Sequence, residues 1–121
     1  MARILLAEDD ASTRDMVQRA LAMDGHDVVV TQDGAEALEK PQAAPDRIDL
    51  LISDVVMPET YGTDLIRQAR ALRPGLPALL ISGFADLQNA RHDPIPEGVP
   101  FLPKPFDLVD LLAQVRALLG G

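Results

Sequence analysis

The chain contains no cysteine and no tryptophan, and only 3% of its 121 residues are aromatic. The absence of cysteine excludes disulfide bonds, thiolate catalysis and zinc–thiolate sites. Because tryptophan is missing from a chain that is 47% hydrophobic, its core must consist mainly of aliphatic side chains. This length predicts a single domain that can bury a sizeable core without disulfides or structural metals.

Long apolar runs and an excess of positive charge are also lacking. No stretch is apolar over the length of a membrane span, and no basic-then-apolar segment of the signal-peptide kind is visible. We therefore expect a cytoplasmic protein with no membrane partner. The chain has 19 acidic against 11 basic residues and a net charge of -8, a balance that repels phosphate backbones. Direct nucleic-acid binding is not expected.

Five apolar runs of strand length alternate with helix-like or turn-rich segments. They occupy residues 3–7, 27–31, 49–53, 77–82 and 99–102. Such continuously apolar runs suit strands that are covered on both faces, which is typical of parallel sheets. The pattern predicts an α/β fold of the flavodoxin-like, doubly wound kind, with a five-stranded parallel sheet in the order 2-1-3-4-5 and helices on both faces.

Three segments have the spacing of amphipathic helices. The first begins near Ser12, which makes a Ser-x-x-Asp start with Asp15, and ends at Gly25; the third ends at Pro74 and Gly75. Prolines at positions 41, 45, 94 and 96 limit the second and fourth helices to about two turns or fewer. The expected apolar stripes are Met16, Val17, Ala20 and Leu21 in the first helix, Leu65, Ile66, Ala69 and Leu72 in the third, and Leu108, Leu111, Leu112, Val115, Leu118 and Leu119 in the fifth.

Acidic residues follow two of the apolar runs. Glu8, Asp9 and Asp10 come after the first run, and Asp54 comes after the third. If these runs are neighbouring parallel strands, their carboxyl ends open on one edge of the sheet and the carboxylates converge. Carboxylates at such short distances raise one another's pKa, and a divalent ion with oxygen ligands relieves the repulsion between them. The sequence therefore predicts a Mg²⁺ site beside a reactive aspartate.

A hydroxyl and an ammonium are expected at the same edge, because the fourth run ends in Ser82 and Lys104 follows the fifth. Taken singly, each residue has an ordinary explanation as a helix cap, a turn residue or a solvated charge. Their combination in this order resembles the receiver domains of response regulators. The resemblance covers the whole chain, and the pairs Met57–Pro58 and Lys104–Pro105 strengthen it.

The resemblance implies roles for the clustered residues. Asp54 would be the phosphoacceptor, taking a phosphoryl group from a phosphohistidine of a sensor kinase or phosphotransfer protein. The Asp10 and Asp54 carboxylates and the backbone carbonyl of Val56 would hold Mg²⁺, and Asp9 would reach the ion through water. Lys104 would contact one phosphoryl oxygen.

The Ser82 hydroxyl would hydrogen-bond another phosphoryl oxygen and move toward it, while Phe101 turns inward. The switched surface would comprise the fourth helix, the fifth strand and the fifth helix, and it would bind a downstream protein effector. Lys104–Pro105 resembles the family's cis peptide. Thr60 and Tyr61 depart from the family pattern, and so does the proline-rich segment at residues 84–98.

Several interpretations remain open at this point. The leading one is a two-component response regulator that consists of one receiver domain over residues 1–121 without an output domain. We expect it to be a monomer or weak dimer and to lose its phosphoryl group at most by slow autodephosphorylation. The stretches Ala7–Asp10, Gly83–Ala85 and Pro103–Phe106 together resemble CpdR-type regulators, which implies a role in regulated proteolysis. Alternatives are a receiver domain of a hybrid histidine kinase and a binding module that works without phosphorylation. A haloacid-dehalogenase phosphatase is disfavoured, because Val56 stands where such enzymes have a second aspartate.

Overall fold

Five parallel strands form the central sheet. A computed structural model of the chain describes residues 2–57, 60–83 and 95–120. The strands of the sheet are β1 (Arg3–Ala7), β2 (Asp27–Thr31), β3 (Leu50–Asp54), β6 (Ala78–Ser82) and β7 (Phe101–Pro103). The sheet has the order β2-β1-β3-β6-β7, which is the predicted order 2-1-3-4-5 when the five strands are counted along the chain.

The register of these strands determines what meets at the carboxyl edge. Ala7 of β1 lies opposite both Thr31 of β2 and Ser53 of β3, and Asp54 lies opposite Ile81 of β6. Strand β3 begins one residue later than expected and includes Asp54 as its last residue. The ends of β1 and β3 are therefore side by side, as the switch point of this topology requires.

Helices cover both faces of the sheet. They are α1 (Ala11–Met23), α2 (Gly34–Ala37), α3 (Gly62–Leu72) and a last helix (Leu108–Leu118), with a 3-10 turn at Pro41–Ala43. The expectation of a short second helix is confirmed, since α2 has four residues before the chain turns at the predicted prolines. The predicted fourth helix falls mainly on residues 84–94, outside the described residues.

The two faces bury two aliphatic clusters. Odd-numbered residues of β1, such as Leu5, pack with α2 and α3, whereas even-numbered ones, such as Ile4, pack with α1 and the last helix. This alternation is the two-residue period of a strand that is buried on both sides. The described cores contain aliphatic side chains throughout, with Phe101 and Phe106 at their margins.

Three residues of the predicted apolar stripes are exposed. Met16, Leu72 and Leu108 are 40%, 71% and 39% exposed, although the sequence places them in apolar helix stripes. Met16 lies beside the face formed by Val17, Ala20 and Leu21, and Leu108 is the first residue of its helix. Leu72 ends α3, and Leu76 after the turn enters the core instead. Apolar spacing identifies a helix face, but only residues above the sheet are buried.

A two-stranded antiparallel hairpin follows β3. Its strands are β4 (Val56–Met57) and β5 (Thr60–Tyr61), with Val56 opposite Tyr61 and Met57 opposite Thr60. This hairpin could not be predicted from the sequence, because two-residue strands leave no measurable periodicity. The hairpin lies directly between the carboxyl end of β3 and the start of α3.

Among the helices of the described residues, none is long and apolar enough to span a membrane.

Candidate functional site

Side chains from three strand ends meet at the carboxyl edge of the sheet. Carboxylate oxygens of Glu8, Asp9 and Asp54 all lie within 4.8 Å of one another. The Lys104 Nζ lies 2.6 Å from Glu8 Oε1 and 3.0 Å from Asp54 Oδ2, so one ammonium bridges two of the three carboxylates. The predicted convergence of Asp9, Asp54 and Lys104 is thus present in the structure, and Glu8 joins them.

Burial dominates the electrostatics of this group. The Glu8 side chain is fully buried and Asp54 is 3% exposed. Burial, with a further contribution from the hydrogen bond to Asp54, raises the pKa of Glu8 from its usual 4.5 to about 8, although Lys104 acts in the opposite direction. Burial alone would lower the pKa of Lys104, but its hydrogen bonds to Glu8 and Asp54 outweigh burial and raise that pKa.

The donor set suits a hard divalent cation. Three carboxylates share a site with one ammonium, so negative charge is in excess; Glu8 and Asp54 are buried, and Asp9 is exposed. All the converging ligand atoms other than the ammonium are oxygens, which is the chemistry that Mg²⁺ prefers. Glu8, Asp9 and Asp54 are therefore residues that fit such an ion.

Asp10 lies outside this group, contrary to the placement expected from the sequence. It is the N-cap of α1, and its Oδ2 accepts hydrogen bonds from the Thr13 amide at 3.0 Å and from the Thr13 hydroxyl at 2.6 Å. These two bonds lower the pKa of Asp10. The helix start predicted at Ser12 is one residue late, because Asp10 caps the first free amides and Ala11 begins the helix.

The acidic pair is therefore Glu8 and Asp9, one position earlier than predicted. Glu8 continues the pairing of β1, since its amide donates to the Thr31 carbonyl at 3.0 Å. An available signal was the Asp-x-x-Thr start of α1, which uses Asp10 as a cap and leaves the two preceding acids for the site.

Ser82 and Lys104 are brought to one rim by strand pairing. Ser82 is buried and lies opposite Pro103, and its carbonyl accepts a hydrogen bond from the Lys104 amide at 2.8 Å. The peptide between Lys104 and Pro105 is cis, as expected. Phe101 lies opposite Leu80 and packs, partly buried, against the cluster on the α3 face.

The chain immediately after Asp54 is tightly packed. The Val56 amide lies 3.4 Å from Asp54 Oδ1, and the Gly62 amide donates to the Val55 carbonyl at 2.7 Å. A Cβ at position 62 would lie 2.2 Å from the Asp54 carbonyl oxygen and 2.8 Å from Ser53 Oγ. Glycine is therefore required at the start of α3, where the helix touches the backbone that carries Asp54.

Comparisons with known proteins agree with this geometry. Residues 4–116 match the family model of the response regulator receiver domain. The chain belongs to this family. A curated relative, response regulator MprA of Mycobacterium leprae (strain TN), is 41% identical over 118 residues, which are 97% of this chain and 50% of the relative. The chain thus spans about half the length of the curated relatives it matches.

Solved receiver structures have the same fold. The chemotaxis response regulator CheY4 of Vibrio cholerae is 31% identical with a TM-score of 0.82, and the match covers 98% of each chain. The receiver domain of the hybrid histidine kinase CckA is 38% identical with a TM-score of 0.81, covering 97% of this chain and 98% of that one. The chain is accordingly a receiver domain of two-component systems, a signalling domain and not a classical enzyme.

Proposed function

We propose that this receiver domain is a phosphorylation switch with Asp54 as its phosphoacceptor. The observation that supports the proposal is the placement of the Asp54 carboxylate at the end of β3, 3.0 Å from Lys104 Nζ and grouped with Glu8 and Asp9. The phosphodonor is a phosphohistidine on a sensor histidine kinase or a phosphotransfer protein. An Asp54 oxygen attacks phosphorus, the phosphorus–nitrogen bond breaks, and the imidazole leaves with the bonding electrons.

Lys104 and the acidic pair have different roles in this transfer. Phosphoryl transfer depends mainly on positioning and on charge stabilisation, so the protein must offset the charge of the phosphoryl oxygens. Lys104 already contacts Asp54 and would exchange part of that contact for a phosphoryl oxygen. Glu8, Asp9 and Asp54 would hold Mg²⁺, with the Val56 carbonyl as a further predicted ligand. When bound, the ion supplies positive charge for the nucleophile and the phosphoryl group.

Ser82 and Phe101 would carry the signal away from the site. Ser82 ends β6, which is next to β3, and Phe101 begins β7, which is next to β6. Phe101 lies directly opposite Leu80 of β6. A phosphoryl group on Asp54 would attract the Ser82 hydroxyl, and the Phe101 ring would repack in response. Phenylalanine can change its burial without leaving a polar group unpaired.

The repacked surface would bind a protein effector. β7 and the last helix belong to the predicted surface, whereas its fourth-helix part lies outside the described residues. The role in regulated proteolysis, the slow loss of the phosphoryl group and the monomer or weak-dimer state stay predictions.

The test is the response of backbone amide resonances to Mg²⁺ with beryllofluoride, a mimic of the phosphoryl group. We expect shifts that extend from Asp54 through Ser82 and Phe101 to the last helix. Asp54→Asn should abolish them, whereas Asp64→Asn, on an exposed part of α3, should retain them. An unchanged spectrum of the wild type at saturating mimic would exclude the switch and favour a binding module that works without phosphorylation.

A further inference from the structure

One guanidinium contacts the backbone of the acidic pair. The Glu8 amide donates to the Thr31 carbonyl of β2, which extends the pairing of β1 with β2 one residue beyond β1. Strand β2 ends at Thr31 and provides no further ladder partner there. Arg14 takes its place, because its Nη1 donates to the Glu8 carbonyl at 3.0 Å.

That carbonyl belongs to the peptide that joins Glu8 to Asp9. The peptide is planar, so a hydrogen bond to its oxygen fixes the orientation of the whole unit. Rotation of this plane would change the backbone angles on either side and would turn the Glu8 and Asp9 carboxylates away from each other. Arg14 therefore acts on the direction of two of the three converging carboxylates.

Arg14 is itself held in place by the start of α1. Its amide donates to the Asp10 carbonyl at 2.9 Å, and Asp10 caps the same helix through Thr13. The side chain is half-buried, which limits its alternative conformations. A charge-assisted hydrogen bond from a fixed guanidinium to a part-buried carbonyl is stronger than a neutral one.

We propose that Arg14 is a positioning residue of the cation site: by holding the Glu8–Asp9 peptide it keeps these carboxylates converged on Asp54. This inference rests on the proposed function, in which the carboxylates bind Mg²⁺. Arg14 contacts neither Asp54 nor the phosphoryl group in this scheme. Its loss should weaken Mg²⁺ binding and leave the phosphotransfer step itself intact.

The first measurement needs no metal. In the metal-free protein, Arg14→Met should shift the carbonyl carbon resonance of Glu8 and the amide nitrogen of Asp9, and Arg14→Lys should shift them less. The control is Arg19→Met, because Arg19 is on the same helix but is exposed and paired with Asp15. Unchanged Glu8 and Asp9 resonances in Arg14→Met would show that the hydrogen bond does not exist in solution.

The second measurement is a Mg²⁺ titration followed by amide shifts. We expect the dissociation constant to rise roughly three- to tenfold in Arg14→Met, less in Arg14→Lys and not in Arg19→Met. Phosphorylation by a small acyl phosphate should be slowed at low Mg²⁺ and approach the wild-type rate at saturating Mg²⁺. An Arg14→Met dissociation constant equal to that of the wild type would overturn the inference, whereas a wild type that binds no Mg²⁺ would overturn the proposed cation site itself.

Discussion

Replacing Glu8 with glutamine should make the metal-free domain more stable at neutral pH. Glu8 is fully buried and its pKa is raised to about 8, mainly by burial. A folded-state pKa above the unfolded value means that the folded protein keeps a proton which the unfolded chain releases. The stability that this proton supports is fully present below about pH 4.5 and is lost as pH rises toward 8. Glutamine resembles the protonated acid at every pH.

The size of the effect follows from the shift. Stability changes by at most about 1.4 kcal/mol per pH unit between the unfolded and folded pKa values. Between pH 5 and pH 7 the wild type should therefore lose up to about 2.5 kcal/mol relative to Glu8→Gln. This figure is an upper limit, since rearrangement of Lys104 would reduce the repulsion between the Glu8 and Asp54 carboxylates. With a urea slope of about 1–3 kcal/mol per molar, this limit corresponds to a divergence of the unfolding midpoints by about 0.8–2.5 M.

The assay is urea unfolding followed by circular dichroism at pH 5, 6, 7 and 8 in the presence of a chelator. The difference between the wild type and Glu8→Gln cancels titrations elsewhere in the chain. Glu39→Gln, which changes an exposed glutamate, serves as the matched control and should give a profile parallel to the wild type. Parallel profiles for Glu8→Gln and the wild type would refute the argument that Glu8 is buried with a raised pKa. Saturating Mg²⁺ should flatten the wild-type profile.

Two further predictions concern the backbone and the acidic residues around the site. Gly62→Ala should lower the free energy of unfolding by about 2 kcal/mol or more and slow phosphorylation of Asp54, because the added Cβ would lie 2.2 Å from the Asp54 carbonyl oxygen. The control is Gly75→Ala, whose Cβ would meet no atom within 4 Å but whose φ is +81°. It should lower the free energy of unfolding by about 1 kcal/mol without changing the rate of phosphorylation. Equal effects of the two variants would contradict the steric argument. Asp10→Asn should keep the helix cap and bind Mg²⁺ within about twofold of the wild type, since asparagine caps as well as aspartate, whereas Asp9→Asn should weaken binding clearly in the same titration. The reverse order would restore Asp10 as the ligand expected from the sequence.

The fold could be predicted because its signals are local and repeated. Each of the five strands is a short apolar run, and the residues between them carry the helix spacing and the prolines or glycines that end helices. The exposure of Met16 and Leu72 could not be predicted in the same way, since it depends on where each helix lies above the sheet. The pairing of β4 with β5 also gave no signal, because each of these strands has only two residues.

The candidate site was predicted with an error of one position in the acidic pair. Residues that end strands reach the same edge whatever their exact neighbours, so Asp9, Asp54, Ser82 and Lys104 could be grouped from strand order alone. Assigning Glu8, Asp9 and Asp10 individually requires knowing which of them ends the strand and which begins the helix. The backbone decides this through two hydrogen bonds, from Glu8 to Thr31 and from Thr13 to Asp10.

The placement of Glu8, Asp9 and Asp10 links the stability of the domain to its proposed signalling chemistry. Glu8 is the most buried of the three, and burial together with the hydrogen bond to Asp54 raises its pKa although Lys104 acts against the rise. A cation that binds the folded cluster and not the unfolded chain stabilises the fold by mass action. It also favours the ionised form of Glu8, so cation binding releases a proton at neutral pH. Mg²⁺ affinity should therefore increase as pH rises from 6 to 8 in the wild type, and this dependence should be largely lost in Glu8→Gln.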